Sequence, residues 1–338
     1  MRYFIMPHQD IRYNLATEEY LMKTLPITEP TLLLYIQKPC VIIGRNQNAY
    51  AEIDFQYLKE QGITLTRRTS GGGAVYDDLG NLSFSFVTAK NRRDFGDYAG
   101  ATAPIVQALQ QMGAKQAEIG GRNDLYIEGL KFSGNAMYSK GERTYSHGTL
   151  MYDVDLSVLD HVLKVDPEKI ASKATKSVRK NVTNIKPYLK AEFQFTDTAD
   201  FRDELLRQIF SVKNLAEIAQ QQIVLTDEDE ATIEKLFIER YANDQWVYGA
   251  APDYQITRRI RLAGVGIVEL HFSIAAGKIS SFEILGDFFG EKDIHELTNA
   301  LIGQDFNEVA LKKFLQKNSV SEYIFNFSNQ DFLDLLFQ

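Results

Sequence analysis

Residues 67–76 read R-R-T-S-G-G-G-A-V-Y, and this stretch invites a chemical question first. Each of three consecutive glycines loses more backbone freedom on folding than any other residue would. Ser70, Gly71, Gly72 and Gly73 between two strand-like runs can bring backbone N–H groups against a ligand with no Cβ in the way, as anion-binding nests do. Arg67 and Arg68 supply planar donors suited to a carboxylate or phosphate. No Gly-Lys-Ser/Thr follows, and no G-x-G-x-x-G opens a helix, so neither standard nucleotide loop is present. The plainer reading, a bulge that bends a sheet, has no use for two arginines.

A second group begins at Gly121-Arg122-Asn123-Asp124 and continues to Lys131, Ser133, Gly134 and Asn135. Asp124 beside Asn123 suits a magnesium ion, which takes few carboxylates and completes its shell with phosphate and water. Strand alternation is expected to put Lys131, Ser133 and Asn135 on one face, with Phe132 and Gly134 on the other. A lysine aimed into such a site stabilises developing negative charge, although alone it would read as a solvated surface residue. Third, residues 169–189 are rich in lysine and arginine, with Lys173, Ser177, Val178 and Arg179 at their centre. They have the texture of a lid for an anionic ligand, or of an ordinary solvated charge run. His147 matters only if the fold carries it to the glycine loop. Cys40, between Pro39 and an apolar run, suits a buried role better than thiol catalysis.

The elements that would position these residues alternate between strand and helix. Strands are expected at 31–37, 40–45 and 63–68, the last leading into the glycine loop. Residues 82–88 alternate as a half-buried strand. Helices are expected at 52–62 and 102–113, each closed by glycine. Residues 123–138 read as a hairpin turning at Glu128-Gly129, followed by a strand at 143–156. Residues 200–218 and 226–241 look helical, the second capped by Thr226. Residues 246–254 look like a linker. Beyond it come strands at 255–271 and 278–285, then helices near 291–301 and 305–316. The expected division is 1–247 and 248–338.

The 338 residues carry 37 Lys and Arg against 45 Asp and Glu, a net charge of -8. Bulk nucleic-acid binding wants a basic face, so nucleic acid is not an expected partner. One cysteine allows no internal disulfide and fits a reducing, cytoplasmic setting. The start lacks a signal-peptide core, and no run of about 18 apolar residues suggests a membrane span.

Taken in order, RRTSGGGAVYDDLGNLSFSF, GRNDL, KFSGNAMY, HGTLM and SVRKNVTNI resemble the signature segments of lipoate–protein ligases. WVYGAAPDY and GVGIVELHFSIAAGKI are similar to that family's small C-terminal domain. The resemblance implies an α/β (α+β) fold: a large catalytic domain of the biotin/lipoate-ligase kind, with mixed sheets flanked by helices, and a small α/β accessory domain. It implies that lipoate and MgATP give lipoyl-AMP, and that the lipoyl group then passes to a lysine of an acceptor. Such acceptors are lipoyl domains of 2-oxoacid dehydrogenase acyltransferase subunits and the glycine cleavage H protein. By the same resemblance, Arg68, Ser70, Gly71, Gly72, Gly73 and Val75 match the loop around the acyl chain, with Gly134 and His147 beside it. Asn123 and Asp124 match the polar pair at the phosphate and its magnesium ion. Lys131 matches the lysine that contacts the acyl carbonyl and α-phosphate. Lys173, Ser177, Val178 and Arg179 match the adenylate lid. A monomer is expected.

The chain departs from the family's usual pattern at Asp77 and Ser146, where histidines are common. Alternatives are an octanoyl or lipoyl transferase of the same fold, which would need a cysteine nucleophile, a biotin ligase, and a non-catalytic nucleotide- or carrier-binding module.

Overall fold

The strand Asn81–Ala89 (β6) organises the molecule because its two faces differ in polarity but not in burial. Leu82, Phe84 and Phe86 enter one hydrophobic cluster. Ser83 and Ser85 point the other way, yet both are as buried as the phenylalanines. The alternation was expected to mark a half-solvated strand; the polar face is instead roofed by a second layer. The computed structural model describes residues 1–26, 28–47, 49, 53–90, 95–121, 123–162, 181–248, 256–275 and 277–337.

β6 sits inside a seven-stranded mixed sheet. Its order runs β1 (Arg2–Ile5), β2 (Thr31–Tyr35), β6, β10 (Arg143–Met151), β9 (Leu130–Lys140), β8 (Asp124–Ile127) and β7 (Glu118–Gly120). Only the β1–β2 pair is parallel. Helices α1 (Ile11–Thr24), α2 (Phe55–Gln61), α3 (Tyr98–Gln111) and α4 (Thr198–Phe210) flank the sheets. α3 and α4 cover the apolar face of β6 with Ile105, Leu109, Phe201 and Leu205. The polar face is covered by a three-stranded sheet of β4 (Thr64–Arg67), β3 (Cys40–Ile43) and β5 (Val75–Asp77). Cys40 and Ile42 from this roof share a cluster with Leu33 and Tyr35 from the floor and with α1.

Several local expectations hold for stated reasons. Gly62 adopts φ 64° and ends α2, where a left-handed residue closes the last turn without a Cβ penalty. The β8–β9 turn places Glu128 at φ 52° and Gly129 at φ 78°, the double positive φ of a tight hairpin. Thr226 caps α5 (Asp227–Leu236) through a reciprocal box with Asp229.

Others need correction. α3 starts at Tyr98, capped by Asp97, ahead of the expected start at 102, and runs through Pro104. α4 stops at Phe210, where Ser211 turns to φ 56°. β10 ends at Met151 because Tyr152 and Asp153 both donate to the Gly80 carbonyl. The supposed linker opens inside a short helix, α6 (Asp244–Tyr248). Trp246 Nε1 there donates to the Arg67 carbonyl at 2.9 Å.

The C-terminal part builds its own core. Strands β11 (Ile256–Leu262), β12 (Gly266–Ala275) and β13 (Lys278–Gly286) form an antiparallel sheet. It packs on α7 (Ile294–Leu301), α8 (Glu308–Leu315) and α9 (Asn329–Leu336) through Leu270, Phe272, Leu297, Leu311 and Phe332. The segment after β13 meets the glycine loop: Gly72 N–H donates to the Phe288 carbonyl at 3.1 Å, and Gly286 N–H to the Asn46 carbonyl at 2.7 Å. Arg45 pairs with Asp293, and Lys90 with Glu291.

Candidate functional site

A pocket of about 590 Å³ lies between the polar face of the large sheet and the small roof sheet. Lys131 and Asn123 line one side, Leu15 and Tyr35 the other, with Val75 and Asp77 among the residues between. The floor crosses strands: Gly134 N–H meets Thr149 Oγ1, Thr149 pairs with Ser83, and Ser83 with Tyr35. From β9 to β2 this is three strand spacings, about 14 Å at roughly 4.8 Å each. The shape is a slot long enough for an extended acyl chain.

The glycine loop forms one wall, but its glycines serve different neighbours. A Cβ on Gly71 would lie 2.2 Å from the Phe288 carbonyl oxygen. On Gly72, at φ 95°, it would lie 2.7 Å from the Phe289 ring and 2.9 Å from Arg68 Nη2. On Gly73 it would meet nothing within 4 Å. Two of the three glycines therefore make room for the C-terminal segment and for Arg68, and Gly73 alone leaves its space open. Phe289 also lines the pocket.

The two arginines hold backbone. Arg68 donates from Nε to Ser70 Oγ, from Nη1 to the Ile42 carbonyl, and from Nη2 to the carbonyls of Gly71 and Gly73 at 2.7 and 2.8 Å. Arg67 donates to the carbonyls of Gly44, Arg45, Gln47, Trp246 and Val247. Burial lowers both guanidiniums to about 10, so both stay charged at neutral pH. Their forks were expected to face a ligand anion. In the structure they pin the loop and tie it to the roof strands and α6.

Lys131 Nζ lies 2.9 Å from Asp124 Oδ1, both partly exposed at the pocket mouth. The expected strand alternation fails here, because the β8–β9 register slips between Leu125 and Tyr126. A bulge of this kind adds one residue and changes the phase of everything beyond it. Lys131 therefore shares its face with Gly134, whose missing Cβ would sit 3.3 Å from Nζ. Phe132 turns into the core. Ser133 accepts from Asn135 Nδ2 on the opposite face. Asn123 lines the pocket, but its Nδ2 donates to the Asn135 carbonyl, which locks the hairpin.

His147 does reach the loop. Its Nε2 is 2.7 Å from Ser70 Oγ, and its Nδ1 is 3.1 Å from both Glu18 oxygens. One proton assignment satisfies the whole chain: Arg68 donates to Ser70, Ser70 to His147 Nε2, and His147 Nδ1 to Glu18. The chain fixes the Ser70 hydroxyl at the start of the glycines.

Of the two departures from the family pattern, Asp77 lines the pocket, whereas Ser146 does not. Ser146 pairs with Phe86, on the sheet face away from the slot. Gln37 Nε2 donates to Asp77 Oδ2 at 2.7 Å and to Ser83 Oγ at 2.9 Å.

Glu18, Gln37, Tyr35 and Phe289 were not foreseen. Glu18 had a readable signal: it is an acid at i+3 from Leu15 and i−4 from Met22 on an otherwise apolar helix stripe. Phe289 had none, since its role depends on how the C-terminal part docks. Lys173, Ser177, Val178 and Arg179 lie outside the described residues. For a magnesium ion, no group of three or more His, Cys, Asp or Glu exists among the described residues. Asp124 alone suits a magnesium ion held mainly by phosphate oxygens.

Comparison with known proteins adds the following. Residues 10–210 match the family model for the lipoyl protein ligase A/B catalytic domain, and residues 251–336 match the bacterial lipoate protein ligase C-terminus. A lipoate–protein ligase of Bacillus subtilis is 42% identical over 331 residues, covering 97% of each chain. LipL1 of P. falciparum, solved with lipoate, superposes with a TM-score of 0.75 at 22% identity, over 98% of this chain and 97% of that one. A bipartite ligase of Thermoplasma acidophilum, studied with its E2 lipoyl domain, gives a TM-score of 0.63 at 28% identity, over 75% and 98%.

Proposed function

Because the chain belongs to the lipoate–protein ligase family, we propose that the slot holds lipoate and then lipoyl-AMP, with the carboxyl end at Lys131. The chain is an ATP-dependent ligase that joins lipoate to protein lysines. In the first half-reaction a lipoate carboxylate oxygen attacks the α-phosphorus of ATP, and the bond to pyrophosphate breaks. In the second, an acceptor lysine amine attacks the acyl carbonyl, the bond to AMP breaks, and the amine loses a proton.

The observation that carries this reading is Lys131 held by Asp124 beside Gly134. Bringing a carboxylate to a polyphosphate sets anion against anion, and a positioned ammonium offsets the repulsion. Asp124 keeps Nζ aimed. When ATP arrives, Nζ can exchange part of that contact for phosphate and acyl oxygens. Asp124, with Asn123 next to it, would hold a magnesium ion, which neutralises phosphate charge when bound. The Arg68–Ser70–His147–Glu18 chain keeps the loop rigid along the acyl chain. Lys173, Ser177, Val178 and Arg179 belong in this reading as the lid over the adenylate.

The transferase alternative lacks its nucleophile. Cys40 is the chain's one cysteine; it is fully buried in β3, and burial pushes its thiol well above the usual range. We infer that residues 1–247 form the catalytic part and 248–338 the accessory part, supported by the separate C-terminal cluster. The proposed acceptors are lipoyl domains of 2-oxoacid dehydrogenase acyltransferase subunits and the glycine cleavage H protein, met by a monomer in the cytoplasm. No helix among the described residues is long and apolar enough to cross a membrane. The test is to incubate the chain with ATP, magnesium, lipoate and each carrier separately. At least one carrier should gain the mass of one lipoyl group; no gain on any carrier would reject the reading.

A further inference from the structure

We propose that Asn184 is a positioning residue for the ligase reaction. It locks a short strap, residues 182–184, across the backbone of Lys131 and so sets where the ammonium meets acyl and phosphate oxygens. This rests on the ligase reading above and adds to it the residue that would hold the lysine's main chain. In S-V-R-K-N-V-T-N-I the cations stand at the front; Val182, Thr183 and Asn184 at its end carry no charge and have no task in that reading.

Lys131 sits where β9 loses regular pairing on both sides. β10 stays paired with β9 only as far as Gly148 and Asn135. On the other edge the β8–β9 register slips between Leu125 and Tyr126, and such a bulge bends the strand and breaks its ladder. The strap takes the edge that β10 leaves. Val182 forms a parallel bridge with Lys131, and Thr183 N–H donates to the Lys131 carbonyl at 2.8 Å. Lys131 pairs with Tyr126 on its opposite edge, so its main chain is held from both sides.

Asn184 fixes the strap in turn. Its Nδ2 donates to the Val154 carbonyl at 2.9 Å, and its Oδ1 accepts from the Val154 N–H at 3.0 Å. Just beyond, Ile185 is fully buried and its N–H donates to the Met151 carbonyl at 2.7 Å. Asn184 is not among the residues that line the slot, so its removal would act through what it holds. Asp124 aims Nζ while the strap holds the main chain, and the two ends of one side chain have separate anchors. An ammonium stabilises developing charge only where it meets that charge, and a misplacement of about 1 Å can cost on the order of 10²-fold in rate.

The experiment is a double-mutant cycle on lipoate-dependent pyrophosphate exchange, with Asn184→Ala and Lys131→Ala made singly and together. Each variant is assayed below its own melting temperature. In the wild-type background Asn184→Ala should lower kcat about tenfold and leave KM for lipoate within about twofold. In the Lys131→Ala background it should lower the residual rate by less than about twofold, because the group it positions is already gone. Asn184→Asp, of the same size, keeps the acceptor for Val154 N–H and loses the donor, so it should fall between wild type and Asn184→Ala. It takes the alanine's place in the cycle if Asn184→Ala does not fold. An unchanged kcat, a loss carried by KM, or an equal fold-loss in both backgrounds would overturn the proposal. A wild type without lipoate-dependent exchange would instead overturn the ligase reading.

Discussion

Lys131 and Arg68 show how differently two cations behave in one site. Arg68 is fully enclosed and spends four N–H groups on backbone and Ser70, so its charge supports the loop's shape. Lys131 has one anionic partner among the described residues and partial exposure, so its charge is available to a ligand. Asp77 differs again, as a buried carboxyl with no cation hydrogen-bonded to it. Its folded-state value of about 7 lies above the 3.8 of an unperturbed aspartate. The folded chain therefore binds the proton more tightly, and this site's stabilising contribution is fully present below about pH 4. It is lost as pH rises from there through 7. Asp77→Asn should accordingly leave stability near wild type at pH 4 and raise it at pH 8, by an amount on the order of 4 kcal/mol. Thermal unfolding at the two pH values checks this; a variant equally displaced at both would contradict it.

At the level of elements, the strand and turn chemistry was legible and the packing was not. Gly62, Glu128-Gly129 and Thr226 each announced a local geometry that needs no tertiary context. The Asn123, Asp124 and Lys131 group was also legible, since the hairpin that joins them is local. The β9 bulge was invisible, because nothing in K-F-S-G-N says that Phe132 would be the extra residue, and it reversed the assignment of faces. The serines of β6 misled because a buried slot and solvent call for the same polar side chains. The triple glycine was read as ligand-facing throughout, whereas Gly71 and Gly72 answer to Phe288 and Phe289. Gly72→Ala should destabilise the docked C-terminal part by roughly 2–4 kcal/mol, since it combines a positive φ with a clash. Gly73→Ala should cost under about 1 kcal/mol and chiefly raise KM for lipoate, because its methyl enters open space. Thermal melts beside steady-state kinetics separate the two; the reverse order of stability would contradict the division of labour.

For the whole molecule, the fold places the proposed acyl slot between two sheets and packs a separately cored C-terminal part against its wall. Gly72, Phe289 and the Arg45–Asp293 pair join the two parts beside the ligand rather than at a distance. In the proposed reaction this slot presents a carboxylate to ATP under the charge of Lys131. Lipoate-dependent exchange of labelled pyrophosphate into ATP measures that step without any acceptor. Wild type should show exchange that requires lipoate, and Lys131→Ala should lose about 10²–10³-fold while melting at the wild-type temperature. Exchange that proceeds without lipoate, or near-normal exchange in a folded Lys131→Ala variant, would contradict it.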